Sequence, residues 1–302
     1  MNTKSGYVAI LGLPNAGKST LMNALLGQKL SIVTPKPQTT RKRILGILSS
    51  ENYQIIFLDT PGILKPGYLL QEKMMEAVSD STKDADIIIL IVDISYDTEG
   101  QNILANEFII KNIFKIQKPI LLLLNKVDLS EQEKVKKLIS KYESLKKFMK
   151  VIPVSALLNF NMEEVLNSIT ELLPEGPKYY PEDIIAEENE RFFVSEIVRE
   201  KVFKLYKEEI PYSTEVIVTD FKERESNKDY ILAEIIVEKE SQKGIIIGKQ
   251  GAAIKKLGLE ARKAIEDFLQ KEVYLELRVK VKSKWRTDEK QLKSFGYIKP
   301  KY

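Results

Sequence analysis

The 302-residue chain contains no cysteine and no histidine. The first absence excludes disulfides, thiolate nucleophiles and cysteine-based zinc sites. The second removes the commonest general base and a principal metal ligand. Proton transfer must therefore fall to carboxylates, lysine, tyrosine, or to substrate and water. Long hydrophobic runs are missing too. No apolar run approaches the roughly 18 residues of a membrane span, and the longest, ADIIILIVDIS from Ala85, is broken by aspartate. The opening MNTKSGYVAILGLPN carries one lysine and a short apolar run, too little for a signal peptide. A cytosolic protein is expected. What remains is globular composition, 43% hydrophobic and 30% charged, at a length that suits two domains.

Charge is unevenly spread. The net charge is +4, yet residues 241–302 hold sixteen Lys/Arg against seven Asp/Glu. A basic end on a slightly acidic body suits a polyanion, although lysine is abundant throughout.

Residues 1–173 repeat one rhythm of apolar run, turn and mixed helical stretch. The runs are YVAILG (7–12), YQIIFLD (53–59), DIIILIVD (86–93), PILLLLN (119–125) and VIPVS (151–155). Strands without polar alternation are buried on both faces, as in a helix-covered parallel sheet. RKRILGILSS (41–50) alternates better and reads as an antiparallel edge strand. The expected first domain is α/β with a doubly wound sheet. LLPEGPKYYPEDIIAEENE (172–190) has the proline and acidic content of a linker, which we place at 174–190. Beyond it the order becomes α-β-β-α-(GKQG)-α-β, an α+β domain over 191–285, followed by a basic tail over 286–302.

GLPNAGKS (12–19) fits G-x-x-x-x-G-K-[ST] between a strand and a helix. Gly12 and Gly17 let backbone N–H groups curl around phosphate at a helix N-terminus. Lys18 neutralises the β and γ phosphates, and Ser19 offers a hydroxyl to Mg²⁺. Asn15, Ala16 and Thr20 complete the phosphate-binding set. DTPG (59–62) follows the next strand. Asp59 can hold Mg²⁺, through water, and Gly62 can turn its N–H to the γ-phosphate. NKVD (125–128) reads the base. Guanine presents N1–H and N2–H₂ side by side, and the Asp128 carboxylate accepts both, whereas adenine lacks N1–H. Asn125 should bridge to the P-loop and the base, and the Lys126 stem should cover the ring. In SAL (Ser155, Ala156, Leu157), the Ala156 N–H is expected near guanine O6. The ligands are GTP and GDP.

Taken in order, GLPNAGKS, TT, DTPG, NKVD and SAL resemble the P-loop GTPases over residues 7–173, and PKPQTTRKRI narrows the resemblance to the bacterial branch that includes the Era family. The resemblance implies that Thr39 and Thr40 form switch I, with Thr40 completing Mg²⁺ coordination beside Ser19 and Asp59. It also implies that Asp59, Thr60, Pro61, Gly62 and Ile63 form switch II. Ile63 follows DTPG, and an apolar side chain cannot orient water as the Ras glutamine does. Slow intrinsic hydrolysis, on the order of 10⁻⁴–10⁻³ s⁻¹, is expected. Similar GTPases with an asparagine in the place of Asn15 bind potassium, so potassium stimulation is a further expectation. Arg41 and Arg43 flank the switch and are equally readable as surface.

GIIIGKQGAAIKK (244–256) poses a second phosphate question. Two glycines three apart are a weak signal, but the flanking helices and strands match a KH domain of the helix-first kind (type II). KH modules clamp about four backbone nucleotides at a GXXG loop. Gly248 and Gly251 would admit phosphates, Lys249 and Gln250 would face them, and IIIG would floor the bases. Lys255, Arg278 and Lys280 extend the expected basic surface. Trp285, Phe295 and Tyr297 among lysines suit base stacking or packing of the tail equally.

A GTPase domain followed by a KH module resembles the Era family over nearly the whole chain. That implies a GTP-hydrolysing switch that binds the 3′ end of 16S ribosomal RNA. It would act in rRNA processing and assembly of the 30S subunit, as a cytoplasmic monomer whose domains reorient across the linker. Two other readings stand beside it. In one, an RNA-binding assembly factor uses nucleotide structurally. In the other, which rests on the basic tail alone, the chain is peripherally attached to a membrane.

Overall fold

The computed structural model describes residues 3–225 and 227–298. These fall into two compact units. The first takes residues up to 66 and 74–187, and the second takes 67–73 and the residues from 188 onward.

The first unit contains β1 (Lys4–Gly12), α1 (Lys18–Leu26), β2 (Ile44–Ser49), β3 (Tyr53–Asp59), most of α2 (Leu69–Asp84), β4 (Ile87–Asp93), α3 (Asn102–Ala105), β5 (Ile120–Asn125), α4 (Gln132–Ser144), β6 (Lys150–Val154) and α5 (Met162–Leu172). Its sheet runs β2-β3-β1-β4-β5-β6, parallel except for β2, which is antiparallel to β3. All six residues of β5 and the first six of β4 are buried. Successive strand residues face opposite sides, so unbroken burial means that both sheet faces are covered. Register brings Gly12 beside Ile91, Asp59 beside Ile10, and Asp93 beside Asn125. The motif residues therefore gather at the carboxyl ends of the parallel strands, where open α/β sheets bind ligands.

The stretch expected as a linker is in fact docked as far as residue 187. Ser5 N donates to Pro174 O at 3.1 Å, Gly176 N to Thr3 O at 3.0 Å, and Ile47 N to Ile185 O at 2.8 Å. Gln54, fully buried, accepts from Tyr179 N and Tyr180 N and donates to Tyr180 O and to Ser49 Oγ. Proline and acidic content resembles a free connector. What tethers the segment is a polar side chain far away in sequence, which composition does not register.

The second unit holds α6 (Glu190–Leu205), α7 (Ile210–Ser213), β7 (Glu215–Lys222), β8 (Asp229–Val237), α8 (Glu240–Ile247), α9 (Ala252–Leu269), β9 (Val273–Val281) and α10 (Glu289–Ser294). Its sheet is β7-β8-β9, with β7 antiparallel and β9 parallel to β8. Asn189 caps α6 by accepting from Phe192 N at 3.0 Å. The inward residues of β8 and β9 share one core with Leu257, Ala261 and Ile265 of α9. Residues 285–298 are not a loose tail. Trp285 is fully buried, its indole N–H donates to Ser213 O at 2.9 Å, and Phe295 meets it edge-on at 5.6 Å. Tyr297 Oη donates to Glu215 Oε2 at 2.5 Å. These aromatics pack, and a buried indole cannot stack on a base. Residues 299–302 of the expected tail lie outside the described residues.

Candidate functional sites

A cavity of about 730 Å³ opens at the carboxyl ends of β1, β4 and β5, and the P-loop, switch I, NKVD and SAL residues line it. The P-loop curl depends on Gly17, at φ 102°, where a Cβ would come within 2.2 Å of Asn125 Nδ2. Only glycine fits there. Ala16 N donates to Leu13 O at 3.3 Å, and Thr20 follows Lys18 and Ser19 into α1. Lys18 is buried, and its ammonium donates to Gly12 O at 3.2 Å and Leu13 O at 3.0 Å. Burial pushes it down to about 8, against the pull of Asp59.

The three expected Mg²⁺ ligands meet. Ser19 Oγ lies 2.6 Å from Asp59 Oδ2 and 2.8 Å from Thr40 Oγ1. Asp59 is fully buried, which raises its carboxyl above the usual range, while the Ser19 hydrogen bond acts the other way. Its Oδ1 has no hydrogen-bond partner of good geometry, although the Ser31 hydroxyl stands nearby. Two hydroxyls and a half-satisfied carboxylate form an all-oxygen set that fits a hard divalent cation. Thr39 is turned elsewhere: its hydroxyl pairs with Thr34 Oγ1 at 2.6 Å and donates to Lys36 O at 2.8 Å. Asn15, at φ 62°, donates from Nδ2 to Pro35 O at 3.0 Å, tying the P-loop to switch I.

In DTPG, Thr60 Oγ1 donates to Ile10 O at 2.7 Å, Pro61 is buried, and a Cβ on Gly62 would strike Pro14. Ile63 is buried in the core and its N–H donates to Gly12 O at 3.0 Å. Its side chain is thus committed to the core.

Asn125 ties two loops together: Nδ2 donates to Ala16 O at 2.8 Å, and Oδ1 accepts from Ala156 N at 3.0 Å. The Ala156 N–H expected at guanine O6 is therefore directed at Asn125. Lys126 has a left-handed backbone (φ 68°), and Asp128 and Leu157 are exposed along the cavity. Ser155 Oγ accepts from Leu158 N at 3.3 Å. Sequence reasoning passed over Asp93, Asp97 and Asn102, which line the same cavity. The signal available was the aspartate that ends the apolar run of β4.

In the second unit, GKQG joins α8 to α9 through backbone that favours glycine. Gly248 lies at φ 72°, ψ 174°, and a Cβ there would sit 2.6 Å from Ala253 Cβ. Gly251 is at φ 77° with open space around it. Lys249 and Gln250 are exposed at the tip. Tyr206 Oη donates to Ile246 O at 2.8 Å, fixing the last turn of α8. Beside the turn, Ile254, Lys255, Gly258, Leu259 and Arg262 of α9 face Leu275 and Leu277 of β9 across a shallow groove. Of the IIIG stretch, Ile246 is taken up by the core while Ile245 stays exposed, so the groove adds apolar surface next to the one expected there.

Arg278 and Lys280 do not join this groove. Leu275, Leu277 and Val279 point to the helices, so alternation sends Arg278 and Lys280 to the opposite sheet face. There Arg278 pairs with Glu276 at 2.7 Å and Lys280 with Glu234 at 2.5 Å. The sequence showed their charge but not their partners.

Residues 7–126 match the family model described as 50S ribosome-binding GTPase, and residues 209–286 match that of the KH domain. GTPase Era of Clostridium botulinum is 45% identical over 99% of both chains. The chain belongs to the Era family of GTPases. The chloroplastic GTPase ERA1 of Zea mays is 50% identical over 98% of this chain and 71% of its own length. Among solved structures, Era in complex with MgGDPNP and nucleotides 1506–1542 of 16S ribosomal RNA superposes with a TM-score of 0.92. It is 41% identical, covering 98% of this chain and 99% of that one. A variant of Aquifex aeolicus Era bound to GDP and aluminium fluoride gives a TM-score of 0.93 at the same identity and coverage. Like the family, this chain pairs a GTP-hydrolysing P-loop domain with a KH domain. Among the described residues no helix is long and apolar enough to cross a membrane.

Proposed function

We propose that this GTPase binds single-stranded RNA near the 3′ end of 16S ribosomal RNA through its KH unit, and acts in rRNA processing and 30S subunit assembly in the cytoplasm. The observation that carries this is the exposed GKQG turn beside a groove with an apolar floor and the cations Lys255 and Arg262. That combination suits a polynucleotide backbone with unstacked bases. The Era complex with a 16S RNA fragment supports the choice of RNA, although the description of the GTPase-domain model names the 50S subunit.

Ser19, Thr40 and Asp59 would hold Mg²⁺, which supplies charge neutralisation at the phosphates when bound. The chain's own residues do the rest. Lys18 and the P-loop amides bind the phosphates, Asn125 couples base loop to P-loop, and Asp128 selects guanine. The Asn15 side chain beside Pro35 O offers oxygens suited to potassium, so phosphate release should be faster in potassium than in sodium buffer. Equal rates would refute a potassium site.

A second reading, in which nucleotide mainly gates or supports the RNA-binding state, is favoured by the buried Ile63. Multiple-turnover phosphate release with and without a 16S 3′-end fragment separates the two. Coupling between RNA and nucleotide must be reciprocal. A switch predicts faster turnover with RNA. Unchanged turnover, with RNA bound and GTP held more tightly, supports the second reading.

A further inference from the structure

Asp93 ends β4, one strand away from the NKVD turn and level with Asn125. Its Oδ2 lies 2.5 Å from the Lys126 ammonium. Its Oδ1 accepts from Ser95 N at 3.0 Å and from Ser95 Oγ at 2.5 Å. The carboxylate is thus held at both oxygens, and the pair is mostly shielded, with side-chain exposures of 17% and 32%. Asp93, Lys126 and Asp128 line the same cavity, yet none of the phosphate, metal or base roles assigned above uses Asp93.

A lysine stem free in solvent samples many rotamers. A base that used such a stem as its platform would bear that ordering cost on binding. Here the ammonium is already anchored, and the left-handed backbone of Lys126 (φ 68°) starts the stem from a fixed direction.

We propose that Asp93, itself aligned by Ser95, is a positioning residue for the guanine nucleotide: it pins the Lys126 ammonium so that the four-carbon stem is ordered across the base site before the base arrives. The inference rests on the reading of Asn125–Asp128 as the guanine site and adds a component that reading lacks. Asp93 itself need not touch the nucleotide. Ser95 contributes through Asp93, so its loss should matter less.

The test is a double-mutant cycle on the full chain, with fluorescent GDP as the probe and the dissociation rate constant and Kd as readouts. Asp93→Asn should weaken GDP by roughly tenfold, the loss expected when a hydrogen bond to a charged group is removed. Ser95→Ala should weaken it less. In a Lys126→Met background, Asp93→Asn should add almost nothing. Thermal melting checks that each variant folds. If Asp93→Asn costs as much with Lys126→Met as without it, Asp93 merely clips the strand ends and the positioning role is overturned. If Lys126→Met alone leaves GDP affinity intact, anchoring the ammonium is immaterial and this inference fails by itself. If Asp128→Ala leaves the preference for GDP over ADP intact, the base-site reading fails and takes this inference with it.

Discussion

A lysine taken almost wholly out of water loses its hydration, and burial pushes Lys18 down to about 8 while Asp59 resists. Only the ammonium form attracts phosphate. Below pH 8 the side chain is charged and affinity for GDP should be level. Above pH 8 binding must draw a proton from solvent, so affinity should fall by up to tenfold for each pH unit. Isothermal titration of GDP between pH 7 and 9.5, in buffers of differing ionisation heat, would show proton uptake appearing on the alkaline side. A Lys18→Met variant should bind weakly with no such slope. At this scale the sequence was informative about identity and less so about direction. Lys18, Ser19 and Asp59 were legible as a set, because the P-loop and DTPG spacing ties them to strand ends, whereas Thr40 came only with the family resemblance. The Ala156 N–H was not, since its partner, Asn125, is 31 residues away.

Along single elements, a period-two strand separates charges that look alike in sequence. Lys255 and Arg262 stand on α9 at the groove, Arg262 with Glu266 of the same helix 3.8 Å away, whereas Arg278 and Lys280 occupy the far side of β9 with closer carboxylate partners. Reversing Lys255 and Arg262 to glutamate should weaken binding of a single-stranded 16S 3′-end fragment at least tenfold. Charge-assisted contacts are each worth about 1.5–3 kcal/mol. Reversing Arg278 and Lys280 should change it by less than about threefold, as expected of screened, paired surface charge. Fluorescence anisotropy at fixed salt decides between the faces. Gly248 is a poor site for such tests, because its Cβ would meet Ala253 and disturb the turn itself. Lys249 and Gln250 are safer.

For the molecule as a whole, the order of elements was largely readable: unbroken apolar strands first, alternating strands later. The boundaries were not, because the segment after α5 and the residues after β9 are fixed by distant partners. Cutting the chain after residue 173 should therefore do more than remove a connector. It strips Gln54 of Tyr179 and Tyr180, and Ile47 N of Ile185 O. A fragment of residues 1–187 should melt several degrees above a fragment of residues 1–173, since each lost buried hydrogen bond costs about 1 kcal/mol. Equal melting curves would mean the docked segment adds no stability.

The same docking bears on how the protein is made. β2 is an outer strand of the first sheet, and Ile185 supplies a backbone partner on its open side. During synthesis every strand of that sheet leaves the ribosome before residue 185 does. For that interval the nascent chain presents an uncapped sheet edge, a ready template for pairing with a neighbouring chain. Slow translation between residues 154 and 185 would prolong that exposure, so codon choice in this stretch has a physical bearing on yield.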